Sequence, residues 1–334
     1  MAGFGDGLAD WEAIMEDAIT PAACEELAEK GFCFRDGALP EGSARQLHAE
    51  ASQHVPWTPH TFRFGASKEH PIMFKKPQIF EADMHNPALV EAPIPGFRGL
   101  FDSAAVGKAL AARLPQLGLA KDTSGITLKI QRNQGGGGCF PHHYDNPGPP
   151  NRRAVTALFY LNPEWADGDG GELELQPLFG PPVSLAPLMG RLVLFRSDVI
   201  LHRVRPSRAV RHCFTVWVDG SKVNGPDDVN LKAKHLEMRD SPLAAATLFR
   251  QSPLQRVISR ALYAEEYEDS LRACMAEPAG VGEMEQRAAK AMLAEHSARV
   301  KALRDNPQLA SFIDKLRAFK RSPEAEAEFG VHGP

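Results

Sequence analysis

Five stretches, 127-TLKIQRN-133, 152-RRAVTALFYL-161, 170-GGELELQPL-178, 190-GRLVLF-195 and 211-RHCFTVWV-218, decide how this chain folds. Each is short and shows strand composition, and turns containing Gly or Pro separate them. That composition predicts about seven or eight strands packed into under about 100 residues, the density of an all-β jelly-roll or barrel core. We place this core at residues 126–220.

Outside it the pattern turns helical. On the N-terminal side, 8-LADWEAIMEDAI-19 sets Leu8, Trp11, Ile14, Met15 and Ile19 at helical spacing. Pro21 can open a second helix that runs to Lys30, and Gly31 can close it. The segment 31-GFCFRDGALP-40 reads as a short strand and a turn, followed by a helix over 41–54. Residues 55–98 are rich in Pro and Phe without clear periodicity, which predicts mostly loop with short strands. Together these make a mixed lead-in over 1–125. After Gly220 two long helical patterns, 235–275 and 282–319, are separated by Pro278, Gly280 and Gly282. They define a C-terminal helical extension over 221–334, whose apolar faces fit either a cover for the barrel or a homodimer. The tail 323-PEAEAEFGVHGP-334 is expected to fray.

Composition narrows the function. The chain has 334 residues and a formal net charge of −4, so no whole-chain basic signature points to nucleic acid. No apolar run reaches the roughly 18 residues needed to cross a bilayer, so no membrane partner is expected. The acidic N-terminus does not read as a secretory signal. Its five cysteines are odd in number, widely spaced and never in CxxC pairs. Neither a disulfide framework nor a zinc ribbon is expected, and the compartment implied is reducing, cytoplasmic or nuclear.

The chemistry lies in 141-PHHYDNP-147 and 199-VILHRV-204. His143 and Asp145 stand two apart, so on a strand they project from one face toward a common metal. His202 supplies a second imidazole beside another strand. Two histidines and one carboxylate leave three positions of ferrous iron open, two for a 2-oxo acid and one for dioxygen. An HxD pair alone is weak evidence, because such pairs arise by chance. Arg211 strengthens it. It is a lone arginine entering an otherwise apolar strand, joined to the strand of His202 by a turn near Pro206. From there it can fork to the distal carboxylate of a diacid such as 2-oxoglutarate.

With these residues in view, Gln131 to Asp219 resembles the prolyl 4-hydroxylase group of 2-oxoglutarate oxygenases, and within it the hypoxia-inducible-factor type. The motifs are HYDNPGPPNRRAVTALFYLNPEW, GGELEL and GRLVLFRSDVILHRVRPSRAVRHCFTVWV. The resemblance implies a double-stranded β-helix, a jelly-roll with Fe(II) on His143, Asp145 and His202. It implies that Arg211 pairs with 2-oxoglutarate, that Tyr160 hydrogen-bonds this cosubstrate, and that Thr215 and Trp217 line its pocket. Ascorbate is implied as reductant, and a proline-containing peptide or protein as the substrate converted to 4-hydroxyproline. The sequence departs from the group at Asn133, where a tyrosine usually contacts substrate or cosubstrate. The following Gly135–Gly138 run suggests a mobile loop in its place.

Other residues have plainer readings. His142 and His212 should face away from the metal. Asn146 should shape the turn after Asp145, with a possible bond to it. Trp165 should pack, and Cys139 and Cys213 should be buried inert thiols. Arg152 and Arg153 fit either an acidic substrate or solvated charge at a strand start. Three alternatives remain at this stage: an oxygenase acting on another side chain or a small metabolite, an inactive jelly-roll binding module, and a zinc hydrolase. The last lacks an HExxH.

Overall fold

The computed structural model describes residues 9–64, 72–275 and 283–330. The N-terminal helices follow from local capping. Helix α1 (Trp11–Ala18) is capped by Asp10. Helix α2 (Pro21–Lys30) has Thr20 as its N-cap and Pro at its first position, and it ends on Gly31 with φ +83°. Strand β1 (Phe32–Arg35) and helix α3 (Glu41–His54) follow as the sequence predicts.

The stretch from 55 to 98 is more ordered than its composition suggests. Strands β2 (Thr58–Phe64) and β3 (Ile72–Asp83) pair antiparallel with a register shift between Pro59 and Thr61, and helix α4 spans Pro95–Ser103. Strand β3 escaped the sequence reading because 75-KKPQ-78 interrupts its alternation and Gln78 takes a positive φ of 65°. Helix α5 (Ala105–Arg113) completes the lead-in.

Eight strands then follow between 126 and 219: β4 (Ile126–Asn133), β5 (Gly138–His143), β6 (Arg153–Tyr160), β7 (Leu173–Gln176), β8 (Val183–Leu185), β9 (Leu192–Arg196), β10 (Leu201–Ser207) and β11 (Arg211–Asp219). Their major sheet has the order β1-β9-β6-β11-β4-β3-β2, and a minor sheet has the order β5-β10-β7-β8. All these pairings are antiparallel. Three strands of the major sheet therefore come from the lead-in. This is the jelly-roll, with helices flanking an all-β core.

Alternation along β11 shows how the sheet serves two compartments. His212, Phe214, Val216 and Val218 point to the helical side, where Phe214 stacks on Phe159 and meets Phe97 edge-on. Arg211, Cys213, Thr215 and Trp217 point to the interior between the sheets. There Leu158, Tyr160 and Phe195 face Leu173, Leu175 and Leu185 of the minor sheet.

The C-terminal helices, α6 (Ala233–Glu237), α7 (Pro242–Arg250), α8 (Gln255–Leu262), α9 (Ala264–Met275), α10 (Glu283–Arg304), α11 (Pro307–Lys320) and α12 (Pro323–Phe329), cover the outside of the minor sheet. Phe249, Ile258, Tyr263, Phe312 and Phe319 pack with Leu178, Phe179 and Leu201 in one cluster. Of the two roles left open by the sequence, the helices thus play that of barrel cover. The tail differs from expectation: helix α12 (Pro323–Phe329) is capped by Ser322 and buries Ala325 and Phe329 in that cluster. Among the described residues no helix is long and apolar enough to cross a membrane.

The cysteine reading also needs correction. Cys139 on β5 is bonded to Cys274 on helix α9 (Ala264–Met275), with Cα atoms 5.6 Å apart. A separation of 135 residues gave sequence spacing no means of revealing this contact. Cys24, Cys33 and Cys213 are free and buried.

Candidate metal centre

Antiparallel pairing sets His202 of β10 directly opposite His143 of β5. Asp145 lies two residues beyond, where the chain leaves the strand. His143 Nε2 is 3.5 Å from Asp145 Oδ1, and His202 Nε2 is 3.7 Å from the same oxygen. The ligand atoms of the three residues all lie within 4.8 Å of one another.

Each ligand is aimed by a second contact. His143 Nδ1 bonds the Pro141 carbonyl at 2.8 Å, and His202 Nδ1 bonds the Ile200 carbonyl at 3.1 Å. A carbonyl can only accept, so both rings carry the proton on Nδ1 and present the Nε2 lone pair inward. Asp145 Oδ2 accepts from Thr156 Oγ1 at 2.8 Å and from Trp217 Nε1 at 2.9 Å, leaving Oδ1 to face the histidines. Burial opposes ionisation of Asp145, but His202, His143 and the Trp217 bond outweigh it and hold the carboxyl well below its usual range. Burial, reinforced by His143, lowers the pKa of His202 to about 4. A carboxylate and neutral imidazoles are the forms that bind a metal.

The turn after Asp145 is fixed by Asn146, which is fully buried. Asn146 Nδ2 donates to the Arg153 carbonyl at 2.7 Å, and Oδ1 accepts from Gly148 N at 3.0 Å. The bond to Asp145 that the sequence suggested for Asn146 is made by Thr156 and Trp217. Thr156 was missed because a threonine within RRAVTALFYL carries no signal beyond strand propensity.

Arg211 is 4% exposed and lines the cavity deeper in. Its guanidinium lies 4.9 Å from the centre of the Tyr160 ring, and Nη1 reaches Cys213 Sγ at 3.4 Å. Arg211 Nε is buried without a hydrogen-bond partner. Orphaned buried donors of this kind are costly unless a ligand supplies the acceptor. An anionic group would supply that acceptor, so the residues around Arg211 fit a carboxylate.

Thr215 and Trp217 line the same cavity, whereas Tyr160 sits behind Arg211 and does not reach the lining. Asn133 does not reach it either. Its Nδ2 donates to the Gly138 carbonyl at 2.7 Å, and its Oδ1 accepts from Gly135 N at 3.1 Å. A Cβ at Gly138 would fall 2.4 Å from that Oδ1. Asn133, expected from the sequence at the cosubstrate, here pins the glycine turn, which Gly137 N further ties to the Ser207 carbonyl at 2.9 Å.

His142 and His212 stay clear of the triad. The His142 backbone N–H donates to Ser270 Oγ at 3.0 Å, and the His142 ring packs on Tyr267. His212 is held between His48 and Trp57 on the opposite face of the sheet. Trp165 Nε1 donates to the Gly170 carbonyl at 2.9 Å.

The cavity has a volume of about 690 Å³ and runs from the triad to the C-terminal helices. On one side β3 and β4 present Glu81, bound by His60 at 2.7 Å and Lys129 at 3.0 Å. Burial disfavours the Glu81 charge, yet these two partners prevail and bring its pKa down to about 2. On the other side stand Arg260 of helix α8 (Gln255–Leu262), Tyr267 of α9 and His296 of helix α10 (Glu283–Arg304). No pattern in the sequence marks these helical residues.

Known proteins place this arrangement. Residues 128–219 match the family model of the 2OG-Fe(II) oxygenase superfamily. The structure is similar to a prolyl 4-hydroxylase of Phytophthora capsici, with 38% identity and a TM-score of 0.76 over 96% of this chain and 98% of that one. It shares its fold with a prolyl hydroxylase of Trichoplax adhaerens, solved with a peptide fragment of the hypoxia-inducible factor oxygen degradation domain. There the identity is 23% and the TM-score 0.51, over 64% of this chain and 94% of that one. None of the curated proteins matches the sequence. With a superfamily that implies Fe(II) and 2-oxoglutarate, and a His-Asp-His cluster present to receive the metal, the chain belongs to the 2OG-Fe(II) oxygenase superfamily and is a 2-oxoglutarate-dependent dioxygenase.

Proposed function

We propose that the enzyme hydroxylates prolyl residues of a peptide or protein, giving 4-hydroxyproline, with succinate and CO₂ as co-products. The observation that carries this reading is the near full-length similarity to a prolyl 4-hydroxylase, which extends through the C-terminal helices that form one side of the cavity. Bound Fe(II) and 2-oxoglutarate supply oxidative decarboxylation coupled to oxygen insertion into an unactivated C–H bond.

The protein's own part is positioning. His143, Asp145 and His202 would hold the metal, and the Thr156 and Trp217 bonds to Oδ2 orient Asp145 so that Oδ1 faces the two histidines. Arg211 binds the distal carboxylate of the cosubstrate, with the Tyr160 ring beneath it and Thr215 beside it in the pocket. Leu158 and Phe195 give this end an apolar lining, which excludes water and strengthens the charge pairing. The wider end of the cavity, toward the helices, is left for the substrate. Ascorbate serves to keep the metal ferrous, and a cytoplasmic or nuclear setting would suit that need.

The test is succinate formation from 2-oxoglutarate with Fe(II), ascorbate and a panel of proline-containing peptides. The wild type should give peptide-stimulated succinate and a mass gain of one oxygen on proline, and His202→Ala should give neither and retain no iron. Succinate that no peptide stimulates, with proline unmodified, would sink the prolyl assignment and direct the search to other side chains or to a small metabolite.

A further inference from the structure

Six cationic side chains and three carboxylates line the cavity, and the carboxylates are all engaged. Asp145 faces the triad, Glu81 is held by Lys129 and His60, and Glu295 is paired with Arg299. Among the cations, Arg211 is set aside for the cosubstrate. Lys76 donates to the Cys139 carbonyl over the Phe140 ring. Among the described residues, two arginines then remain that line the cavity and form no ion pair, Arg153 and Arg260.

Both are built alike. Arg153 at the start of β6 lies 4.0 Å from the centre of the Trp217 ring, and Arg260 lies 4.6 Å from that of Tyr267. A guanidinium resting on an aromatic face has its plane set by the ring and keeps its in-plane N–H donors available. Arg260 is further aimed from α10: His296 Nε2 bonds the Ala264 carbonyl at 3.0 Å, so its Nδ1 accepts from Arg260 Nη1 at 3.3 Å. Asp219 acts on Arg153 only at a distance, and Glu295 acts on Arg260 while bound to Arg299.

We infer that Arg153 and Arg260 form a pair of carboxylate subsites that select substrate peptides with acidic side chains flanking the hydroxylated residue. The inference rests on the prolyl reading for the identity of the central residue, but not for the acidic flanks. A positioned guanidinium that is half desolvated gains more from a carboxylate than from a neutral amide, because the fork matches two oxygens and the site's excess positive charge is relieved.

Equilibrium binding tests it. Fluorescent proline peptides, one with glutamates on both sides of the proline and a twin with glutamines, are titrated anaerobically with enzyme loaded with Fe(II) and 2-oxoglutarate, and anisotropy is read. The acidic peptide should bind about tenfold more tightly than its twin, and only its affinity should fall with added salt. Arg260→Gln and Arg153→Gln should each weaken the acidic peptide far more than the twin. Arg260→Lys should fall between wild type and Arg260→Gln. The two glutamine variants lie on different walls, so misfolding of one leaves the other informative. Equal binding of the two peptides by wild type, no binding of the acidic one, or variants that weaken both alike would overturn the inference. Binding is read without turnover, so the two readings fail separately. An acidic peptide that binds preferentially and is never hydroxylated defeats the prolyl assignment alone. Hydroxylation of twins that bind equally defeats the acidic subsites alone.

Discussion

The sheet side and the helical side of the cavity are specified in different ways. On the sheet side, the groups come at period two along single strands: Arg211, Thr215 and Trp217 on β11, Thr156 and Leu158 on β6. Their neighbours in sequence fill the apolar core on the reverse face. On the helical side, Arg260, Tyr267 and His296 come from three helices and meet only because the whole extension packs on the minor sheet. The sheet side holds what the chemistry needs, the metal and an anion. The helical side holds groups that neither metal nor cosubstrate engages. The metal cluster and the anion site are therefore encoded largely along strands, and the helical wall that carries Arg260 by assembly.

The sharpest way to test that division is Arg211→Gln. Removing one partner of a buried charge pair costs about 2–5 kcal/mol, so the KM for 2-oxoglutarate should rise at least roughly thirtyfold, while the affinity for an acidic peptide should change little. A shift of both together, measured in parallel titrations, would show that the two sides do not act separately. Thr156→Val comes next in size. It deletes one bond to Asp145 Oδ2 without changing the metal ligands, and iron affinity should fall about 10- to 100-fold, as read by competition with a chelator. Unchanged affinity would mean that Trp217 alone orients the carboxylate.

The smallest effect concerns stability at acid pH. Glu81 has its pKa lowered to about 2 by His60 and Lys129 against the cost of burial. A carboxyl lowered on folding contributes stability above its unfolded pKa, near about 4.5, and loses it as pH falls toward about 2. Glu81→Gln should flatten the wild type's loss of stability across that window, measured by urea unfolding at a series of pH values. Curves of the same shape would remove Glu81 from the account.

What could be read from the sequence follows the same division. Helix α2 was legible because Pro21 and Gly31 mark its ends by local chemistry, and α1 because its apolar residues recur at helical spacing. The triad was legible because its first two members are two residues apart, and Arg211 because it stands alone in an apolar strand. Strand β3 was not, since Lys75, Lys76, Pro77 and Gln78 break the alternation that identifies a strand. Asn133 occupied the expected position, but its short carboxamide folds back onto its own turn, which spacing cannot reveal. The contacts Cys139–Cys274 and Arg260–His296 join residues 135 and 36 positions apart and exist only once the helices have docked.

The two-faced character of β11 carries a consequence for how such a chain can change over generations. Substitutions on either face can be tried one at a time, but a single inserted or deleted residue would turn every side chain over. Arg211, Thr215 and Trp217 would be driven in among Phe97 and Phe159, and Phe214 and Val216 would be handed to the metal. Length in that strand is thus frozen by two selections at once. The connections between the C-terminal helices face no such parity rule, and variation in length among relatives is expected to accumulate there.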